Sequence, residues 1–136
     1  MKTFSNDFGK VLLENNIFEI CIGNISKNID LEEFISEMKQ YYTGINQNFI
    51  MICDFSNINI LDVNSKLCHQ IADIFVENYL ISETHLKHLV IITKSTTIKN
   101  ILNSFFYLYH MPHPISIFKK KSTKFQSLLE KIKDIC

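Results

Sequence analysis

The chain has 136 residues, of which 46% are hydrophobic, and its 14 lysines balance 14 acidic residues with no arginine present. A chain of this length buries roughly two thirds of the surface its unfolded form exposes, enough for one domain spanning residues 1–136 without metal or disulfide staples. The missing guanidinium removes the bidentate grip on phosphate and guanine and argues against nucleic-acid binding. No apolar run reaches the ~18 residues of a membrane-spanning helix, and Met1 to Asp7 lacks the apolar core of a signal peptide. The expected location is therefore the cytoplasm.

From the amino terminus, Lys10 to Leu13 and Ile17 to Ile22 flank Asn15-Asn16. Asparagine tolerates the positive φ of a tight turn, so this segment reads as an opening β-hairpin. Asp30 with Glu33 suggests a capping arrangement. Leu31, Phe34, Ile35, Met38, Tyr41 and Tyr42 then repeat at helical spacing before Gly44 ends the turn. Phe49 to Cys53 is apolar without alternation, as in a central strand covered on both faces.

Asp54 to Asn57 supplies loop chemistry, and Asp62, Asn64 and Ser65 offer oxygens to start a second helix carrying Leu67, Ile71, Ile74 and Phe75. Leu89 to Ile92 forms a further strand. A third helix has the stripe Ile98, Ile101, Leu102, Phe105 and Tyr109 and stops at Pro112 and Pro114. Ile115 to Phe118 is the last strand, and Phe125, Leu128, Leu129 and Ile132 line a final helix. Alternation after a hairpin implies an α/β domain, a mixed sheet with later parallel strands and about four packed helices.

The turn from the central strand into the second helix is the place to expect function. A helix starting at a strand's carboxyl end aims backbone N–H groups at the position where parallel sheets hold ligands. Here Asp54-Phe55-Ser56, Ile60-Leu61-Asp62 and Asn64-Ser65 resemble the signature of the STAS family, named for sulfate transporters and anti-sigma factor antagonists. Asp54, Ser56, Leu61 and Asp62 match its pattern. Val63 stands where phosphorylated members carry their switch serine, and Ser65 stands where they carry glycine. The stretch from Leu89 onward is similar to small bacterial STAS-like proteins also described as SEC14-like. The resemblance lies in Thr93 to Thr97, in Asn103 to Phe106 and in Pro114 to Phe118. It implies a STAS-like fold and a noncatalytic regulatory role.

Other patterns are weaker. His85 with His88 and His110 with His113 have ligand-like spacing, but neither pair sits beside a recognisable third ligand, so no metal is expected. Cys21, Cys53 and Cys68 lie in apolar runs without C-x-x-C pairing and read as buried thiols, while Cys136 is terminal. Nucleophilic elbows and glycine-rich phosphate loops are absent from a chain with three glycines. Cys53, Asp54 and His69 could meet as nucleophile, orienter and base, yet a strand cysteine is usually packed, and neither an enzyme nor a cofactor is expected. Lys119 to Lys121 with Lys124 reads as a solvated turn, with anionic lipid or an acidic protein patch as the alternative.

Two functions follow. In the first, a protein partner docks on Asp54, Ser56, Asp62, Asn64 and Ser65 together with Lys94, Ser95 and Thr97, with Ser65 or Ser56 as the site of any phosphorylation. In the second, a SEC14-like carrier holds a lipid or other apolar ligand against Phe105, Phe106 and Tyr109, a surface that could instead form a homodimer.

Overall fold

The computed structural model describes residues 1–23, 28–57, 70, 73–74, 76–97, 99–100, 103–104 and 115–133. Its elements are β1 (Lys2–Ser5), β2 (Gly9–Glu14), β3 (Ile17–Ile22), α1 (Asn28–Thr43), β4 (Phe49–Asp54), α2 (Tyr79–Thr84), β5 (Leu86–Ile92), β6 (Ile115–Phe118) and α3 (Thr123–Lys133). One six-stranded sheet runs β1-β2-β3-β4-β5-β6. β1, β2 and β3 form an antiparallel meander, and β3 through β6 are parallel.

The hairpin turns where expected. Glu14 pairs with Ile17 across the two-residue loop, and Asn15 takes the left-handed conformation at φ 52. β1 was not anticipated. Its sequence KTFS has a single half-buried apolar residue and no alternation, as a short edge strand can. Asn6 secures it: Oδ1 accepts from the N–H groups of Phe8 and Gly9 at 2.9 and 3.2 Å, and Nδ2 donates to the Asp30 carbonyl at 3.0 Å. Asp30 thus lies inside the first turn of α1, where a carboxylate suits the helix dipole, and does not cap it.

The two faces of the sheet carry separate cores. Phe18, Ile20, Met51, Cys53, Leu89 and Ile91 pack on one face beneath Leu31, Phe34, Met38 and Tyr42 of α1. Phe18, Tyr42 and Phe49 meet edge-to-face there with ring centroids 5.7–6.5 Å apart. Ile50, Ile52, Val90 and Ile92 pack on the other face against Phe125 and Leu129 of α3. β4 therefore buries both faces, as its unbroken apolar run predicts.

The expectation of about four packed helices is overturned. Among the described residues the architecture is dominated by six strands, met by two helices longer than two turns, α1 and α3, with α2 only six residues long. It remains α/β in kind. Each of the three parallel connections is long enough for a crossover, but among the described residues only the one from β3 to β4 carries a helix longer than two turns. Residues 73–74 and 76–77, and 96–97, 99–100 and 103–104, have helical backbone, and Ile74 is buried in the α1-side core. The rest of the stripes expected in those two regions lies outside the described residues.

Gly9 and Gly44 differ in what a side chain would meet. A Cβ on Gly9 would strike the Cys21 carbonyl and crowd Phe34 at 3.0 Å, whereas one on Gly44 meets nothing closer than 3.6 Å and its φ is not positive. Gly9→Ala should cost about 1–3 kcal/mol in urea unfolding, and Gly44→Ala should be neutral or add up to ~1 kcal/mol. A second expectation concerns His88, whose Nε2 lies 2.8 Å from Ser116 Oγ across β5 and β6. Burial holds its imidazole below the ordinary 6.5. On acidification the unfolded chain takes the proton first. The His88 contribution is thus intact above about pH 6.5 and declines below it, levelling once the folded imidazole also titrates. His88→Asn should flatten that part of the stability-versus-pH curve, read from denaturation midpoints.

Candidate functional site

β4 ends at the boundary between core and water. Met51, Ile52 and Cys53 are buried, Asp54 is half-buried, and its side chain is 14% exposed. Asp54 Oδ1 accepts from Ser56 N at 3.0 Å and from Ser56 Oγ at 2.6 Å, so the carboxylate folds the chain sharply after the strand. Between them Phe55 turns back into the core at 6% exposure, and its N–H donates to the Ile92 carbonyl at 2.8 Å. That bond ties the end of β4 to the end of β5.

The next turn is fastened in the same way. Thr93, 3% exposed, donates its N–H to the Phe118 carbonyl at 2.9 Å, and its Oγ1 accepts from Ser95 N at 3.4 Å. Lys94 and Thr97 are exposed and Ser95 is half-buried. The carboxyl ends of β4, β5 and β6 thus form one rim, and the expected residues Asp54, Ser56, Lys94, Ser95 and Thr97 all lie on it. Asp62, Asn64 and Ser65 lie outside the described residues, as do Phe105, Phe106 and Tyr109.

Sequence reasoning singled out Lys121 only as part of a solvated lysine run and missed the contacts that complete this rim. Lys121 Nζ lies 3.3 Å from Glu19 Oε1 on β3 and 3.9 Å from Asp54 Oδ2. The turn after β6 therefore doubles back over the sheet, and one lysine joins the start of α3 to two strands. Glu19 is 102 residues from Lys121, so no local pattern announces the contact. The only available signal was alternation: Glu19 and Cys21 occupy the positions of β3 opposite to the buried Phe18, Ile20 and Ile22.

The thiols near this rim are not activated. Burial, with Asp54 and Glu19 adding to it, pushes Cys53 up to about 12, which leaves a neutral thiol packed in the core. Cys21 is also raised, first by burial and then by Asp54 and Glu19, with Lys121 and Lys10 opposing. Cys68, His69 and Cys136 lie outside the described residues. His85 and His88 face different partners, Asn48 Oδ1 at 3.4 Å and Ser116 Oγ at 2.8 Å. Among the described residues no group of three or more His, Cys, Asp or Glu side chains is placed to hold a metal, and no helix is long and apolar enough to cross a membrane. A hollow of about 320 Å³ lies at the opposite end of the sheet, lined in part by Leu13, Asn15, Ile45, Gln47 and Phe49.

The Lys121 bridge is solvent-screened, since its side chain is 43% exposed and that of Glu19 28%. A double-mutant cycle between Glu19→Gln and Lys121→Met should return a coupling of about 0.2–1 kcal/mol that shrinks at high salt. A cycle giving zero at low salt would show that the bridge does not hold α3 to the sheet. Comparison of the chain with family models, curated proteins and solved structures returns no match.

Proposed function

We propose that this chain is a noncatalytic, cytoplasmic regulatory module of STAS type that docks on a protein partner through the turn leaving β4. The observation supporting the reading is the Asp54–Ser56 turn. A carboxylate locked by two hydrogen bonds holds a polar, rigid elbow at the carboxyl end of the central parallel strand. Phe55 anchors it from beneath. A surface preorganised in this way loses little conformational freedom on binding. The neighbouring turn of Lys94, Ser95 and Thr97 widens the contact area, and the reading also assigns Asp62, Asn64 and Ser65, which lie outside the described residues, to the docking segment.

Regulation would act by charge. A phosphate on Ser56 would replace the hydroxyl that donates to Asp54 with a dianion beside a carboxylate and disrupt the turn. Val63 has no hydroxyl, so Ser65 or Ser56 carries the role in this reading. The test begins with a partner captured from the host and then purified. Its affinity for the wild type is compared with that for Ser56→Asp, Ser65→Asp and Ser65→Ala. The aspartates should weaken binding about tenfold or more, or ~1.4 kcal/mol, with Ser65→Ala close to wild type. Equal affinity across all four proteins rejects docking through this elbow.

A further inference from the structure

Residues 84–129 contain seven lysines and not one Asp or Glu. The fold gathers much of that uncompensated charge at one place. Because β5 and β6 are parallel neighbours and Thr93 N donates to Phe118 O at 2.9 Å, the turns that follow them lie side by side. Lys94 stands on one turn, Lys119 and Lys120 stand on the other, and Lys124 opens α3, all exposed. None of these four forms an ion pair with a described residue, whereas Lys121 beside them is engaged by Glu19 and Asp54. The rim is therefore divided: Glu19 on β3 and Asp54 at the end of β4 engage one lysine, and the other four form no ion pair with a described residue.

We infer that this lysine rim receives an acidic segment of the docking partner, a stretch with several Asp or Glu side chains lying across the β5 and β6 turns. The inference rests on the protein-docking reading above and specifies the chemistry of the partner. One backbone feature reinforces the charge: Ser122 caps α3, its Oγ accepting from Phe125 N at 3.4 Å. The start of α3 adds partial positive charge to the same rim. Other polyanions fit less well. Phosphate-backbone recognition favours arginine, which the chain lacks. Stable anchoring to a membrane surface takes a second, apolar signal beside the lysines. The exposed large apolar residues among the described ones are Met1, Val76 and Leu80, and Leu80 lies in the segment entering the opposite end of β5.

The probe is a fluorescein-labelled octaglutamate peptide titrated with the full chain at low and moderate salt, alongside phosphatidylserine vesicles. Peptide binding should weaken about tenfold or more on raising the salt. It should be lost in Lys94→Glu/Lys119→Glu/Lys120→Glu and reduced in the corresponding glutamine triple. A control with the same net charge, Lys2→Glu/Lys87→Glu/Lys131→Glu, should change it less than about threefold. Absence of peptide binding, equal loss in both glutamate triples, or tighter binding to vesicles than to peptide overturns the inference. The two readings separate cleanly. A purified partner that binds the rim triple normally but loses affinity for Ser65→Asp retains elbow docking and removes the acidic segment. Rim-dependent peptide binding with no effect of any elbow variant on the partner does the reverse.

Discussion

Because β4 is apolar at five consecutive positions, neither of its faces can meet water, and the sheet must be covered on both sides where β4 lies. α1 supplies one cover and α3 the other. Burying Ile50, Ile52, Val90 and Ile92 contributes about 1.5–3 kcal/mol apiece. In sum that is comparable to the whole net stability of a small domain, ~5–15 kcal/mol. α3 is thus a structural necessity although it is the last described element, and the turn leading into it must double back from β6 over β5 and β4. This requirement brings Lys121 to Glu19 and Asp54.

The same constraint sharpens the exit of β4. A doubly buried strand has to pass from core to solvent within a residue or two, and a half-buried carboxylate at that boundary needs partners for its oxygens. Asp54 has them: Ser56 satisfies Oδ1 from within the turn, and Lys121 approaches Oδ2 from across the sheet. The elbow is consequently stiff for reasons of folding before any reason of function. A partner surface built there uses rigidity that the core has already imposed.

Legibility in the sequence followed the range of the interactions. Local signals were readable: the Asn15 turn, the α1 stripe of Leu31, Phe34, Met38 and Tyr42, the uniform run of β4, and the short β6 all stand where their patterns place them. β1 escaped because an edge strand with one half-buried phenylalanine needs no alternation. The helix content is lower than expected because apolar periodicity does not by itself set how much helix a crossover carries: among the described residues the β4 to β5 connection holds only the six-residue α2 as a helical element. At the site, Asp54 and Ser56 were legible from turn chemistry. The pairing of Lys121 with Glu19 was not, since sheet order rather than spacing brings them together.

Net charge of zero conceals the property that most shapes this surface. Residues 1–68 carry five lysines against nine acids, and residues 69–136 carry nine against five. In a sheet whose strands lie in sequence order, that asymmetry along the chain becomes an asymmetry across the molecule. The acidic half builds β1 to β4, and the basic half builds β5, β6 and α3. Lys121 is one point where the two meet, pairing with Glu19 and Asp54 while its lysine neighbours stay exposed. Charges farther apart than about 8 Å are screened from one another at physiological salt. The surplus on the β5 and β6 turns therefore acts on an approaching molecule locally and is not cancelled by the distant carboxylates of the other half. A formally neutral protein with this topology presents a cationic edge beside a rigid polar elbow, and the proposed partner would have to match both at once.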